Sequence, residues 1–132
     1  MERALNFLRS HRDVAFATVE DAKPKIKVFQ IMQIEGETLY FATSAKKEVY
    51  RQLQANPSIE LLAMEGDISV RVGGKADFNV EDAMQRKIYE GSAILQRLYP
   101  SYDSMAYFSL KIKMVDYYDL KPTPPLLEHF ER

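Results

Sequence analysis

The fold of this chain is organised around residues 39–53, LYFATSAKKEVYRQL, which predict a β-strand that runs directly into a helix. Residues 38–42 are rich in side chains that favour strands, and either Thr43 or Ser44 can cap the helix that follows. The apolar residues after the cap recur at helical spacing. We therefore expect a strand and a helix to meet at this point of the chain.

Two lysines, Lys46 and Lys47, fall in the first turn of the predicted helix. The first backbone N–H groups of a helix are unpaired and its dipole makes this end positive, so cations here are usually unfavourable. A bound phosphate would reverse the effect, because it pairs with the free amides and with the ammonium groups. The alternative is that both lysines are solvated surface charges, and this stretch alone favours neither interpretation.

The composition is that of one globular domain covering residues 1–132. Hydrophobic residues make up 46% of the chain and charged residues 28%, and the length fits a single core. A net charge of -1 gives no overall attraction to nucleic acid or to an anionic membrane surface. The chain has no cysteine, no apolar run of membrane-spanning length and no signal-peptide pattern at its start. We therefore expect a cytoplasmic protein.

Alternating or β-rich runs predict five more strands around the central one. They cover residues 14–19, 25–34, 58–64, 68–78 and 105–119. Short helices are expected before the first of these strands and, as a pair, before the last. Paired glycines at 73 and 74 indicate a bend or a close backbone approach. This order predicts a mainly β (α+β) fold, a six-stranded antiparallel barrel with short flanking helices.

The strand at residues 25–34 alternates between apolar and polar positions. We expect Ile26 and Val28, with Met32 and Ile34, to face the core. Lys27 and Phe29 then share the other face, which would suit a planar, polar ligand. The alternative is an edge strand whose lysines discourage aggregation.

The remaining polar residues predict no catalytic or metal centre. His11 is expected to be a helix-end residue and His129 a surface residue, and two histidines are too few for a site built mainly on imidazole. No phosphate-binding glycine loop, nucleophile elbow or acid–base carboxylate pair is present. The proline-rich tail from Lys121 is expected to be an extended arm that packs Leu126, Leu127 and Phe130 on a neighbour.

Several short runs occur in a characteristic order. They are PKIKVF at 24–29, YFATS at 40–44 followed by the lysine pair and by Gln52-Leu53, Asn56-Pro57 before a strand, and VGGKA at 72–76. Together they resemble the pyridoxamine 5'-phosphate oxidase-like, FMN-binding split-barrel family, most closely over residues 14–78. The resemblance implies a split barrel that forms a homodimer with two FMN molecules at the subunit interface.

The resemblance also implies which residues contact FMN. A basic position near the flavin and its phosphate side corresponds to Lys27, and the strand positions beside the isoalloxazine ring correspond to Val28, Phe29 and Gln30. The strand end beside the phosphate corresponds to Ala42 and Thr43, and the basic pair that binds the phosphate to Lys46 and Lys47. A further contact position corresponds to Ser69, where the oxidase itself has a larger amide side chain.

The function implied by the resemblance is that of a flavin-dependent oxidoreductase acting on an unknown small molecule, with a nicotinamide donor. The segment 124–132 does not resemble the arginine- and histidine-containing end with which the oxidase binds the phosphate of its substrate, so pyridoxamine phosphate is not the expected substrate. No catalytic residue is identified, and Tyr99, Tyr102 and Tyr107 are only candidates for the pocket. The alternatives are a flavin-binding module without turnover and a split barrel that binds haem or a deazaflavin.

Overall fold

The computed structural model describes all 132 residues and contains nine strands and four α-helices, with a short 3₁₀ helix at Tyr102–Ser104. The helices are α1 Glu2–Ser10, α2 Glu48–Ala55, α3 Asp82–Glu90 and α4 Ala93–Leu98. The strands are β1 Asp13–Glu20, β2 Lys23–Gln30, β3 Gln33–Glu35, β4 Thr38–Thr43, β5 Ser58–Glu65, β6 Ile68–Asp77, β7 Ala106–Lys111, β8 Met114–Asp119 and β9 Leu126–Glu131. None of the helices combines the length and apolar composition that a membrane span requires.

All nine strands join one curled antiparallel sheet, which confirms the predicted mainly β (α+β) split-barrel fold. The main path runs β2-β1-β5-β6-β7-β4-β3, with β8 branching from β6 and β9 pairing with β8. The branch arises because one edge of β6 pairs with β8 as far as Gly73 and with β7 from Ala76 onward. A Cβ atom on Gly74 would lie 2.8 Å from the carbonyl oxygen of Lys111. The paired glycines therefore permit the close backbone approach at which β6 changes partner.

The structure has three more strands than the six expected. A short β3 precedes β4, and the last expected strand is divided at residues 112–113 into β7 and β8. The third addition is β9, which pairs along its length with β8 of the same chain, whereas the tail was expected to be an extended arm that packs on a neighbour. Leu126 and Phe130 pack against the main core of this chain, whereas Leu127 is exposed. The prolines lie in the connection before β9, where they interrupt no ladder hydrogen bond.

The orientation predicted for β2 is wrong. Ile26 and Val28 are 76% and 79% exposed, while Lys27 and Phe29 are the partly buried residues. The register explains this, because Lys27 pairs with the buried Phe16 of β1 and therefore shares its face of the sheet. An alternating pattern shows that two faces differ, but it does not show which one meets the core.

A cluster of phenylalanine rings fills the concave side of the sheet. Phe16, Phe41 and Phe108 are fully buried, and Phe29 of β2 packs on Phe16 with 4.7 Å between ring centroids. Helix α2 packs on β1 and buries Val49 and Leu53 there. The strands that carry this core also carry a polar residue at an inward position near one end, Thr18 in β1 and Thr43 in β4.

Candidate functional site

An open cleft of about 760 Å³ lies between β2, the end of β4 and the start of α2. This volume is in the range of small-molecule sites. Eight of the nine residues predicted for the cofactor site line it, namely Lys27, Val28, Phe29, Gln30, Ala42, Thr43, Lys46 and Lys47. The other lining residues are Lys25, Ile26, Glu48, Val49 and Gln52. The structure thus brings together in one place residues that are up to 27 positions apart in the sequence.

Six consecutive residues of β2, 25–30, line the cleft. Successive side chains of a strand point to opposite faces, so a ligand that meets all six lies along the edge of the strand and not on one face. Strand β2 pairs only with β1, which leaves its other edge without a strand partner. Free backbone N–H and C=O groups on such an edge can pair with the polar rim of a flat heterocycle.

Lys46 and Lys47 lie in the turn before α2. The sequence had predicted both lysines in the first turn of this helix, and that placement is wrong. The helix begins at Glu48, and Lys47 is its N-cap residue. The turn is closed by Ser44, whose Oγ accepts a hydrogen bond from the Lys46 backbone N–H at 3.2 Å and whose carbonyl oxygen accepts one from the Lys47 N–H at 3.0 Å. Neither lysine side chain forms an ion pair within the chain, so both ammonium groups are available to an anion at this end of the cleft.

Thr43 is the one residue whose buried side-chain polar atom has no hydrogen-bond partner. It ends β4, lines the cleft beside the lysine turn and is only 3% exposed. A buried hydroxyl without a partner costs free energy, and such groups are rare in folded proteins. The Thr43 hydroxyl therefore fits a site in which a bound group supplies its missing partner. A phosphate can do so, since it offers several acceptor oxygens to the hydroxyl and to the two lysines together.

Lys27 is held differently from the other lysines of the cleft. Its Nζ donates hydrogen bonds to Thr18 Oγ1 at 2.7 Å and to Gln52 Oε1 at 3.0 Å, with a longer contact of 3.5 Å to the carbonyl oxygen of Lys25. Thr18 Oγ1 in turn donates to Gln52 Oε1 at 2.5 Å. Burial lowers the pKa of Lys27, with smaller opposing effects from Glu48 and Glu20. The ammonium group is thus a partly desolvated charge in a fixed place.

Sequence analysis assigned no role to Thr18 and named Gln52 only as part of the run Gln52-Leu53. Both residues are almost fully buried, at 1% and 3% exposure. Thr18 occupies the third inward position of β1 after Val14 and Phe16, and Gln52 lies on the buried face of α2 that also carries Val49. Sequence reasoning could have found both residues, because each is a polar residue at a position that strand or helix periodicity assigns to the core.

Ser69 does not line the cleft of its own chain. It lies in β6, where it pairs across the sheet with Met64 of β5 and Tyr118 of β8. Directly opposed residues share a face, and Met64 is 66% exposed, so Ser69 belongs to the outer face of the sheet. Its cofactor contact stays a prediction that needs a second copy of the chain.

The three candidate tyrosines also lie outside the cleft. Tyr107 is buried in a small second cluster under α3, which raises its pKa to about 12, and its hydroxyl donates to the carbonyl oxygen of Tyr102 at 2.8 Å. The Tyr102 hydroxyl donates to Asp82, and the Tyr99 carbonyl oxygen accepts from Tyr89. These bonds hold the helical segment 82–104 on the sheet.

Solved structures share this fold over nearly the whole chain. A NimC/NimA family protein from Clostridium acetobutylicum is 22% identical with a TM-score of 0.83, over 100% of this chain and 92% of that one. A pyridoxamine 5'-phosphate oxidase-related, FMN binding protein from Nostoc punctiforme is 17% identical with a TM-score of 0.72, over 99% and 88%. A heme binding protein from Mycobacterium smegmatis is 16% identical with a TM-score of 0.79, over 98% and 57%.

The family of this chain is shown by a family model that matches most of its sequence. No curated protein matches the chain. The family model described as pyridoxamine 5'-phosphate oxidase matches residues 1–119, which include every residue of the cleft. The chain therefore belongs to the pyridoxamine 5'-phosphate oxidase-like split-barrel family.

Proposed function

We propose that this protein binds FMN in the cleft and acts as a flavin-dependent oxidoreductase on a small molecule. The observation that carries the proposal is the buried, unpartnered hydroxyl of Thr43 next to the unpaired ammonium groups of Lys46 and Lys47. These three groups would hold the phosphate. The ring system would lie along the free edge of β2, beside Val28, Phe29 and Gln30.

The bound flavin would supply the electron chemistry, and the protein would bind it, orient it and set the charge around it. None of the residues of the cleft is assigned as a proton donor to a substrate. The lining has four lysines and one glutamate, so it would favour an electron-rich or anionic group near the ring. A nicotinamide cofactor is the proposed electron donor.

The same cleft disfavours haem, which a similar solved structure is described as binding. Haem iron is usually held by histidine, cysteine, methionine or tyrosine. None of the lining residues of the cleft is of these types. FMN is therefore a better candidate for this cleft than haem, and a deazaflavin or a flavin-binding module without turnover stay the alternatives.

A homodimer is part of the proposal. The outer face of β2, β1 and β5 carries Ile26, Val28 and Met64 with high exposure and Leu62 at 37%. Between them lies Ala15, which pairs with Val28 on one side and with Leu62 on the other. Exposed apolar patches of this kind usually bind another protein. Ser69 lies on this same face and does not line the cleft of its own chain, so it could contact a cofactor only in the cleft of a second copy.

The test uses the purified full-length chain, titrated with FMN and with riboflavin while flavin fluorescence is followed. We expect FMN to bind at least tenfold more tightly than riboflavin, because charge-assisted hydrogen bonds to a phosphate contribute roughly 1.5–3 kcal/mol. Lys46→Glu with Lys47→Glu should remove this difference and leave the melting temperature within a few degrees. Lys113→Glu with Lys121→Glu, two exposed lysines elsewhere, is the control with the same charge change.

Turnover is tested on the flavin-loaded protein without oxygen. A nicotinamide donor should bleach the visible flavin absorbance, and a small acceptor should restore it. A flavin that the donor does not bleach, or that no acceptor restores after bleaching, would favour the binding module. A protein that takes up no FMN at all would contradict the proposed function.

A further inference from the structure

The ammonium group of Lys27 already has protein partners for its hydrogen bonds. An ammonium group has three N–H donors. In this structure Thr18 Oγ1, Gln52 Oε1 and the Lys25 carbonyl oxygen accept from Lys27 Nζ at 2.7, 3.0 and 3.5 Å. Only the longest of these contacts could be exchanged for a contact with a ligand at a small cost in free energy. Lys27 is therefore unlike Lys46 and Lys47, whose side chains have no such partners.

The orientation of the Gln52 amide is fixed from its far side. Gln52 Nε2 donates to Glu20 Oε1 at 3.4 Å, and Glu20 Oε2 accepts from Arg51 at 2.7 Å. A flipped amide would turn its NH₂ group toward the Lys27 ammonium and toward the Thr18 hydroxyl, and would face Glu20 with an oxygen. Every donor in the chain from Lys27 through Thr18 and Gln52 to Glu20 thus points toward an acceptor, and the reverse arrangement is unfavourable.

We propose that Thr18 and Gln52 are positioning residues that hold the Lys27 ammonium as an immobile positive charge at the wall of the cleft. The lysines of the cleft then divide into two classes. Lys46 and Lys47 are mobile charges for the terminal phosphate, whereas Lys27 presents a fixed charge to the ring system. Partial burial strengthens its interaction with an electron-rich group, because less water screens it.

The assignment of Lys27 to the ring rests on the proposed function, but the positioning itself does not. The positioning is tested in the ligand-free protein by NMR of ¹³C-labelled lysine side chains, with Lys27→Arg used to assign the signal. We expect the Lys27 Cε to be rigid and that of Lys46 to be mobile. Gln52→Leu or Thr18→Val should make Lys27 as mobile as Lys46. Equal mobility of the two lysines in the unmodified protein would overturn the inference, whatever the protein binds.

The ring assignment is tested by titration with riboflavin, which lacks the phosphate. Gln52→Leu should weaken riboflavin and FMN binding by the same factor, roughly tenfold, because it releases a charge-assisted interaction with the ring. Gln54→Leu, the same change at an exposed position of α2, is the matched control and should leave both affinities unchanged. A Gln52→Leu variant that weakens FMN alone would overturn the ring assignment.

Thr18→Val keeps the inference testable if Gln52→Leu fails to fold. Valine has the shape of threonine without its hydroxyl, so this variant removes one acceptor from Lys27 and leaves the core packing intact. We expect a smaller, parallel loss of riboflavin and FMN affinity. Unchanged affinity and an unchanged, rigid Lys27 signal in this variant would show that the hydrogen-bonded chain does not position the charge.

Discussion

At the scale of single residues, two threonines at inward strand positions have opposite environments. The Thr18 hydroxyl accepts from Lys27 and donates to Gln52, while the Thr43 hydroxyl has no partner. A core position that keeps an unpaired hydroxyl is expensive for the ligand-free protein. A substitution of Thr43 should therefore change stability and ligand affinity in opposite directions.

Thr43→Val should stabilise the ligand-free protein and weaken its affinity for FMN. Removal of an unsatisfied buried hydroxyl contributes about 1 kcal/mol to the free energy of unfolding, which raises the melting temperature by a few degrees. The loss of a hydrogen bond to the phosphate should lower FMN affinity severalfold and leave riboflavin affinity unchanged. The measurements are thermal melts without ligand and fluorescence titrations.

Thr38→Val, at the other end of β4, is the control for the change of residue type. It should affect neither FMN nor riboflavin affinity. A Thr43→Val protein that melts at a lower temperature without ligand would contradict the assignment of the hydroxyl as unsatisfied.

At the scale of elements, the sequence predicted the strands well but the face of β2 wrongly. The central strand and helix, the β1–β2 hairpin and the α3–α4 pair all appear in the structure. The face of β2 was wrong because its apolar pair, Ile26 and Val28, lies on the outside, where a second protein surface and not the core would explain it. Alternation in one sequence cannot distinguish these two kinds of burial.

The residues of the cleft also differ in how far they could be predicted from neighbouring positions in the sequence. Its lysine pair was recognisable because Lys46 and Lys47 lie between a strand and an amphipathic helix that neighbouring residues predict, although the pair precedes the helix and does not fall in its first turn. The network around Lys27 joins β1, β2 and α2, and its bonds depend on how these elements pack. No local pattern of a single sequence contains that information.

The paired glycines of β6 provide a prediction at this scale. Gly74→Ala should destabilise the fold by about 1–3 kcal/mol, because its Cβ would meet the backbone carbonyl oxygen of Lys111 at 2.8 Å and the Leu110 side chain at 3.0 Å. Gly73→Ala should cost less, because its Cβ would meet the flexible Met114 side chain at 3.2 Å. Urea unfolding of both variants measures the difference, and equal or reversed losses would contradict the proposed reason for the glycine at 74.

The two histidines predict how stability depends on pH. A hydrogen bond with the Phe7 carbonyl oxygen and then the Glu65 carboxylate raise the pKa of His11, which joins α1 to β5. Asp116 and then Glu131 raise the pKa of His129, which joins β9 to β8. A raised pKa means that the folded state binds protons more tightly, so this stabilisation is complete below about pH 6.5 and is lost as pH rises through the folded-state values.

The melting temperature should therefore fall as the pH rises above about 6.5, the ordinary pKa of histidine. His11→Gln and His129→Gln should each reduce that fall, and the double variant should reduce it most. Melts at several pH values and constant ionic strength provide the measurement. A double variant with the pH dependence of the original protein would show that neither pairing contributes to stability.

At the scale of the whole molecule, the apolar outer face is the feature that a single chain does not explain. The accessible surface of the chain is 7869 Å², and a standard interface buries about 800 Å² per partner, roughly a tenth of that area. The face formed by β2, β1 and β5 carries exposed Ile26 and Val28 next to the cleft that these same residues line. Dimer formation and cofactor binding should therefore be coupled in this protein.

Val28→Asp tests that coupling. The Val28 side chain is 79% exposed, so aspartate at this position should leave the fold of one chain almost unchanged, but it would place an uncompensated charge in the proposed interface. We expect light scattering after gel filtration to give the mass of a dimer for the original chain and of a monomer for the variant. The FMN affinity of the Val28→Asp variant should be at least tenfold lower than that of the original chain.

Ile94→Asp is the matched control, because Ile94 is also an exposed apolar residue, at 56%, but lies on α4 away from this face. It should leave both the mass and the FMN affinity unchanged. Val28→Asp also changes a residue of the cleft, so dilution of the unmodified protein provides an independent test: FMN should dissociate over the same concentration range in which the dimer does. A Val28→Asp protein that remains dimeric, or an original chain that binds FMN tightly as a monomer, would show that the outer face is not the interface on which the site depends.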